Sequence, residues 1–74
     1  MSEVCKIGPL SVLHTEGSGF VTVAGRYHSE QLDLAGWQSR LKFYRGLRDR
    51  DGGRYARFYV GRVRACEKAI EVLR

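Results

Sequence analysis

Residues 41–65, LKFYRGLRDRDGGRYARFYVGRVRA, decide the fold. Two runs with apolar residues at steps of three and four flank a charged, glycine-paired break. Upstream of the break, Leu34, Trp37, Leu41, Tyr44 and, at the edge, Leu47 fall on one broad side of a helix predicted over 31–48. Gln38, Lys42, Arg45 and Asp49 fall opposite them. Downstream, Tyr55, Tyr59, Cys66, Ile70 and Leu73 cluster in a narrow arc of a second helix over 54–73, flanked by Phe58, Val63 and Ala69. Between them, Asp49-Arg50-Asp51-Gly52-Gly53 permits the left-handed backbone that ends a helix. So short a connection sends the second helix back antiparallel to the first. Ser29 or Asp33 supplies the oxygen that caps the first helix. Gly36 and Gly46 each weaken that helix by up to about 1 kcal/mol relative to Ala.

Towards the N-terminus the period changes from helix to strand. LSVLHT (10–15) alternates loosely, with Leu10, Val12 and His14 on one face. Glu16-Gly17-Ser18-Gly19 is a turn. FVTVAGRY (20–27) follows, with Val21, Val23 and Tyr27 on one face and Thr22 and Arg26 on the other. Two β-rich runs joined by four turn-forming residues predict a β-hairpin. EVCKI (3–7) is a third short extended run, cut off by Gly8-Pro9 because Pro9 donates no backbone hydrogen bond. The expected fold is therefore α+β: an N-terminal β-hairpin, with 3–7 as an optional third strand, packed in two layers on a C-terminal antiparallel helical hairpin. The 74 residues read as a single domain, β-rich over 1–28 and a helical hairpin over 29–74.

A chain this short buries only about 60% of its extendable surface, which leaves a thin core and little room for an enclosed active site. Pairing with a copy of itself or with a partner would add stability. A hydrophobic fraction of 43% is that of a globular protein, not a disordered one. Two cysteines, Cys5 and Cys66, stand far apart in the chain, which points to free thiols in a reducing cytosol. MSEVCKIGPL lacks the cationic and apolar regions of a signal peptide, and no apolar run approaches a membrane span, so a cytoplasmic chain with no membrane partner is expected.

Charge is distributed one-sidedly. Residues 38–74 carry nine Arg and two Lys against four acids, a net of +7, whereas residues 1–37 carry a net of −2. Ten Arg against three Lys, with no Asn, fits a GC-rich genome, but genome composition does not explain why the cations crowd into one half. A concentrated positive field suits a nucleic acid or an acidic protein face. The exposed cations predicted to make the contact are Arg48, Arg50, Arg54, Arg57, Arg64 and Lys68, with Lys42 and Arg45 as a secondary basic face. The aromatic rings interleaved with them, Trp37, Tyr44, Tyr55 and Tyr59, fall on core faces and are expected to pack, not to stack on bases. Arg40 and Arg62 break the pattern by falling in the apolar arcs. Each must reach a carboxylate, reach water along its stem, or mark a face left open for a partner.

Other chemistries find little support. Cys5, His14, His28 and Cys66 could ligate zinc, but structural zinc sites bring ligands in close pairs and these are scattered, so no metal or other cofactor is expected. No nucleophile elbow, Walker loop or metalloprotease motif is present. His14 or His28 beside Arg26 and Tyr27 is the one arrangement with the groups of a small ribonuclease, and ordinary strand and loop roles account for all four. No catalytic residue is assigned.

In size, charge and the helical hairpin of residues 29–74, the chain resembles small phage-encoded regulators that bind a large host machine such as RNA polymerase. That resemblance implies a protein with no active site, acting by occupying or remodelling a partner's surface; it carries over no individual residue. The expectation is a non-enzymatic transcription regulator docking on an acidic protein surface. The alternatives are direct DNA or RNA binding through the same cations, and a self-associating homodimer.

Overall fold

The computed structural model describes residues 1–74. Four antiparallel strands come first: β1 (Ser2–Ile7), β2 (Leu10–His14), β3 (Val21–Ala24) and β4 (Ser29–Leu32), lying side by side in chain order. Helix α1 (Leu34–Asp49), a 3-10 turn (Arg50–Gly53) and helix α2 (Ala56–Leu73) follow. The class is α+β, a sheet covered on one face by an antiparallel helical pair.

The strand register sorts the side chains. Val12 stands between Cys5 and Val23, Val21 between His14 and Leu32, and Val23 opposite Glu30. Alternation then puts Cys5, Leu10, Val12, Val21, Val23, Glu30 and Leu32 on the helix side. Leu10, Val12, Val21 and Val23 are buried there, while Ser11, Leu13, Thr22 and Ala24 on the other face stay partly open. In β1 a bulge between Glu3 and Cys5 leaves Val4 exposed and breaks the regular edge that another strand would need for pairing.

Four details of the expected fold are corrected: the extent of the sheet, the start of each helix and the place of Tyr27. The third strand expected over 3–7 pairs with β2, but residues 29–32 form a fourth, β4, instead of opening the first helix, so the hairpin is extended to a four-stranded meander. The Gly25 N–H donates to the His28 carbonyl at 2.7 Å, closing the β3–β4 turn and returning the chain to the sheet. Of the two capping candidates, Asp33 serves: its Oδ1 accepts from the Gly36 N–H at 2.8 Å, so α1 begins at Leu34. Tyr27 lies in the new turn, 93% exposed, not on the Val21 and Val23 face. Asp51, Gly52 and Gly53 take left-handed φ angles of 53°, 70° and 86° in the turn, and the second helix starts later than expected, at Ala56, because Tyr55 stands at a non-helical φ of −105° and ψ of 11°.

The core lies between α2 and the sheet. Val63, Ala65, Cys66, Ala69 and Ile70 are buried, most of them in one cluster with the four inner strand residues. Helix α1 adds one buried side chain, Trp37, whose indole N–H donates to the Val21 carbonyl at 3.0 Å. Further along the pair, the Tyr44 ring stacks on Tyr59 with centroids 6.4 Å apart. No buried side-chain polar atom lacks a partner.

The two glycines of α1 have opposite roles. A Cβ on Gly36 would stand 2.9 Å from Leu32 Cβ, so the first turn of α1 sits against the end of β4 only because that position is bare. A Cβ on Gly46 would meet nothing within 4 Å. Gly36→Ala is therefore expected to destabilise by about 1–3 kcal/mol through overpacking. Gly46→Ala is expected to stabilise by up to about 1 kcal/mol through helix propensity. Urea denaturation of the two variants checks the sign of each.

Candidate functional site

The helical pair outruns the sheet. At 1.5 Å per residue the helices are roughly 24–27 Å long, whereas strands of this length reach only about 13–20 Å. The molecule is correspondingly elongated, 39 × 23 × 17 Å. No residue between Trp37 and Val63 is buried. The far halves of both helices and the turn between them form a projection with solvent around most of it.

The expected contact residues occupy this projection and the outer flank of α2. Arg57, Arg64 and Lys68 follow one line along α2, at steps of seven and four. Arg50 and Arg54 sit at the tip. Ion pairing divides the set. Arg48 grips Asp49 with two bonds, Nε to Oδ1 at 2.9 Å and Nη2 to Oδ2 at 3.3 Å. That hydrogen bond raises the pKa of Arg48 and holds the Asp49 carboxyl below its usual range. Lys68 pairs with Glu71 at 3.3 Å, and Arg45 reaches across the helices to Glu67 at 3.4 Å. Lys42, Arg50, Arg54, Arg57 and Arg64 make no ion pair. Within the expected contact set, these five are the cations available to an outside anion. Two of them rest near rings: Arg54 lies 5.7 Å from the Tyr55 centroid and Arg57 5.0 Å from that of Phe58.

Arg40 and Arg62 sit where the projection leaves the sheet. Arg40 Nη2 lies 3.4 Å from Glu30 Oε1, so it does reach a carboxylate, on the inner face of β4. His28 Nε2 stands 3.4 Å from the same oxygen, and the Glu30 side chain is only 13% exposed. Arg62 packs on the β3–β4 turn, its Nη2 within 3.5 Å of where a Cβ on Gly25 would be. Burial, with the Glu30 carboxylate adding to it, raises the Tyr44 hydroxyl and pushes the Cys66 thiol up to about 11.

Sequence reasoning missed the exposed aromatics. Trp37 is buried as expected, Tyr44 and Tyr59 are half-buried, and Tyr55 is exposed. The most open rings of the helical pair are Phe43 and Phe58, 54% and 62% exposed. Their signal lay in the heptad step: Phe43 is seven residues past Gly36, and Phe58 seven before Ala65, so both continue sheet-facing stripes beyond the sheet. Leu47, Tyr55 and Tyr59 with Arg50 and Asp51 also line a cleft of about 270 Å³ at the tip.

The metal candidates are dispersed, and of the ribonuclease candidates His14 alone stands apart. No three His, Cys, Asp or Glu side chains converge as a metal requires, and both thiols are free. His14 Nε2 is 2.9 Å from the Ser18 carbonyl, where it braces the β2–β3 turn. Arg26, Tyr27 and His28 lie together at the opposite end of the sheet and share a shallow pocket with Arg62. No helix is long and apolar enough to cross a membrane. Comparison with protein-family models, curated proteins and solved structures returns no match.

The Cys66 thiol binds its proton more tightly in the folded chain than at its ordinary value of 9.0. Its contribution to stability is complete below pH 9 and is lost as pH rises towards about 11. Wild type is therefore expected to lose stability relative to Cys66→Ala over that range, measured by urea midpoints. At pH 8, iodoacetamide should modify half-exposed Cys5 in the native chain and Cys66 only after unfolding.

Proposed function

We propose that this chain is a small non-enzymatic regulator that docks its helical projection on an acidic surface of a larger protein assembly. The observation that carries the reading is the projection itself. Residues 38–62 contribute no buried side chain, yet they carry unpaired Arg50, Arg54 and Arg57 beside half-exposed Phe43 and Phe58. Arginine interleaved with open aromatic rings is the composition of protein-interface hot spots. Unpaired cations speed the encounter with an acidic face, and the rings lengthen residence once water is expelled. Transcription machinery, RNA polymerase first, is the partner to test, in keeping with the resemblance to phage regulators. Such a protein regulates by occupying its partner's surface.

A second reading has its own support. Phe58 lies open beside Arg57, and an exposed ring next to a guanidinium can stack on an unpaired base while the cation takes a phosphate. Single-stranded nucleic acid is the ligand this arrangement would suit.

The two readings separate in one set of measurements. Binding is measured to purified RNA polymerase and to random duplex and single-stranded oligonucleotides, at low and near-physiological salt. The protein-docking reading expects retention on polymerase at both salts and release of oligonucleotide as salt rises. Charge reversal of Arg50, Arg54 and Arg57 together should weaken retention by about a hundredfold or more, roughly 1.4 kcal/mol for each tenfold step. Arg48→Ala and Lys68→Ala should change it by less than about threefold, because surface cations already holding a carboxylate add little. Salt-resistant oligonucleotide binding with no retention on polymerase would give the second reading its place.

A further inference from the structure

The sheet-facing stripe of each helix runs on after the sheet has ended. In α1, Gly36 lies against Leu32, Arg40 reaches Glu30, and Phe43 comes next on the same side. In α2, Ala69 and Ala65 are buried on the sheet, Arg62 packs at Gly25, and Phe58 comes next. Beyond Arg40 and Arg62 there is no strand beneath, so two phenylalanines face the space where a continued sheet would lie. The end of the sheet closes the other side of that space. In the angle is a cavity of about 370 Å³, lined by Leu10, Gly25, Arg26, Tyr27, His28 and Arg62 among others. Tyr27, at the rim, is almost wholly exposed.

We infer that this notch receives an acidic protein segment carrying a bulky apolar side chain. The apolar group enters the cavity against Leu10 and Tyr27, with Phe58 one turn beyond Arg62 along α2, and flanking carboxylates meet Arg26, Arg54 and Arg62. The inference rests on the docking reading above and specifies the chemistry of the partner.

Charge selects the occupant. Residues 40–64 hold nine Arg and Lys against Asp49 and Asp51. Arg26, Arg54, Arg57 and Arg62 make no ion pair. No acid lines the cavity, and Glu30 on neighbouring β4 is already engaged by Arg40 and His28. A second copy would bring the same cations face to face with these. A neutral apolar segment would cover Arg62 and leave it without a counter-charge, which is costly. A phosphate backbone would suit the convex line of Arg57 and Arg64 better than a recess that fits one or two side chains. An acidic segment with an apolar anchor satisfies both the rings and the guanidiniums.

The test uses the full chain as bait for a displayed library of random twelve-residue peptides. Enriched peptides are expected to combine Asp or Glu with at least one aromatic or large aliphatic residue. A selected sequence is then made with a fluorescent label, alongside a version with its apolar residues changed to Ala. Fluorescence anisotropy should show the Ala version binding about tenfold or more weakly, the loss typical of an interface anchor. The double variant Tyr27→Ser/Phe58→Ser, whose replaced rings are mostly exposed and whose folding is checked by circular dichroism, should lose the same factor on the selected peptide and nothing on the Ala version. If acidic peptides are enriched without an apolar requirement, and Tyr27 and Phe58 prove indifferent, the notch is not the site and basic docking alone stands. Enrichment of neutral or basic peptides, or no enrichment, removes the inference; enrichment of basic peptides removes the docking reading with it. Displacement of the selected peptide by a labelled oligothymidylate that binds more tightly at near-physiological salt would replace both by nucleic-acid recognition.

Discussion

Trp37 is the only buried residue of α1, and it lies in the first turn of that helix. Its indole N–H is satisfied by the Val21 carbonyl, so the largest side chain of the core is fixed in orientation as well as position. Bare Gly36 beside it lets the helix start press on Leu32. Together these pin α1 to the sheet at its first turn, with only the Arg40–Glu30 pair and half-buried Leu41 and Tyr44 holding it further along. A sixteen-residue helix held at its first turn must extend past a sheet built of four- to six-residue strands. The projection, its exposed rings and its free cations all follow from where that tryptophan sits.

The projection still has to be held together, and charge would push it apart. Nine cations lie between residues 40 and 64. Repulsion among them is offset locally in three ways. Asp49 takes Arg48, Glu67 on the other helix takes Arg45, and Glu30 under the base takes Arg40. The Tyr44–Tyr59 stack adds an apolar clasp about midway. Exposed pairs of this kind are worth only about 0–1 kcal/mol each, so the arrangement tolerates the charge more than it profits from it. Glu30 differs from the other acids because it is nearly buried and serves two cations at once. It is the counter-ion around which the junction of sheet and helices is assembled. Its field also helps keep Cys66 and Tyr44 protonated.

The layered fold and the antiparallel helices were legible in the sequence because their signals are periodic. Val12, Val21 and Val23 alternate, and Trp37, Leu41 and Tyr44 recur at helical steps. Strand β4 was not legible. In Ser29-Glu30-Gln31-Leu32 the inward position next to Leu32 is a glutamate, so the polar and apolar alternation that marks a strand is masked. The same residues are good helix starters, and Asp33 is a genuine cap one step later. What makes Glu30 an inner-face residue is Arg40 standing over it, a tertiary fact with no local trace. The cations of the projection were found from composition alone, but which of them are free depends on side-chain reach across the helices. Arg45 and Lys68 look as available as Arg57 until Glu67 and Glu71 are placed. Phe58 was read as flanking the core of α2, correct for the direction of the stripe and wrong for its burial, because the length of a sheet is not written into the helix that overruns it.

Stability and recognition are consequently divided along the chain. Burial is confined to β2, β3, the first turn of α1 and α2 from Val63 onward. The residues between 38 and 62 are tied to that core by a ring stack, by half-buried Leu41 and Tyr44, and by the Glu30 junction. Changes of charge at the tip therefore fall on groups that hold little of the fold together, and a thin-cored chain can carry a surface tuned for a partner without spending its core on it. The arrangement has a limit at Arg40 and Arg62. There the two halves meet, the cations are half-enclosed, and substitution acts on the seating of the helices as well as on any ligand. A variant at either position reports on the fold first, whereas Tyr27, Arg50, Arg54, Arg57 and Phe58, which the core does not use, report on the surface.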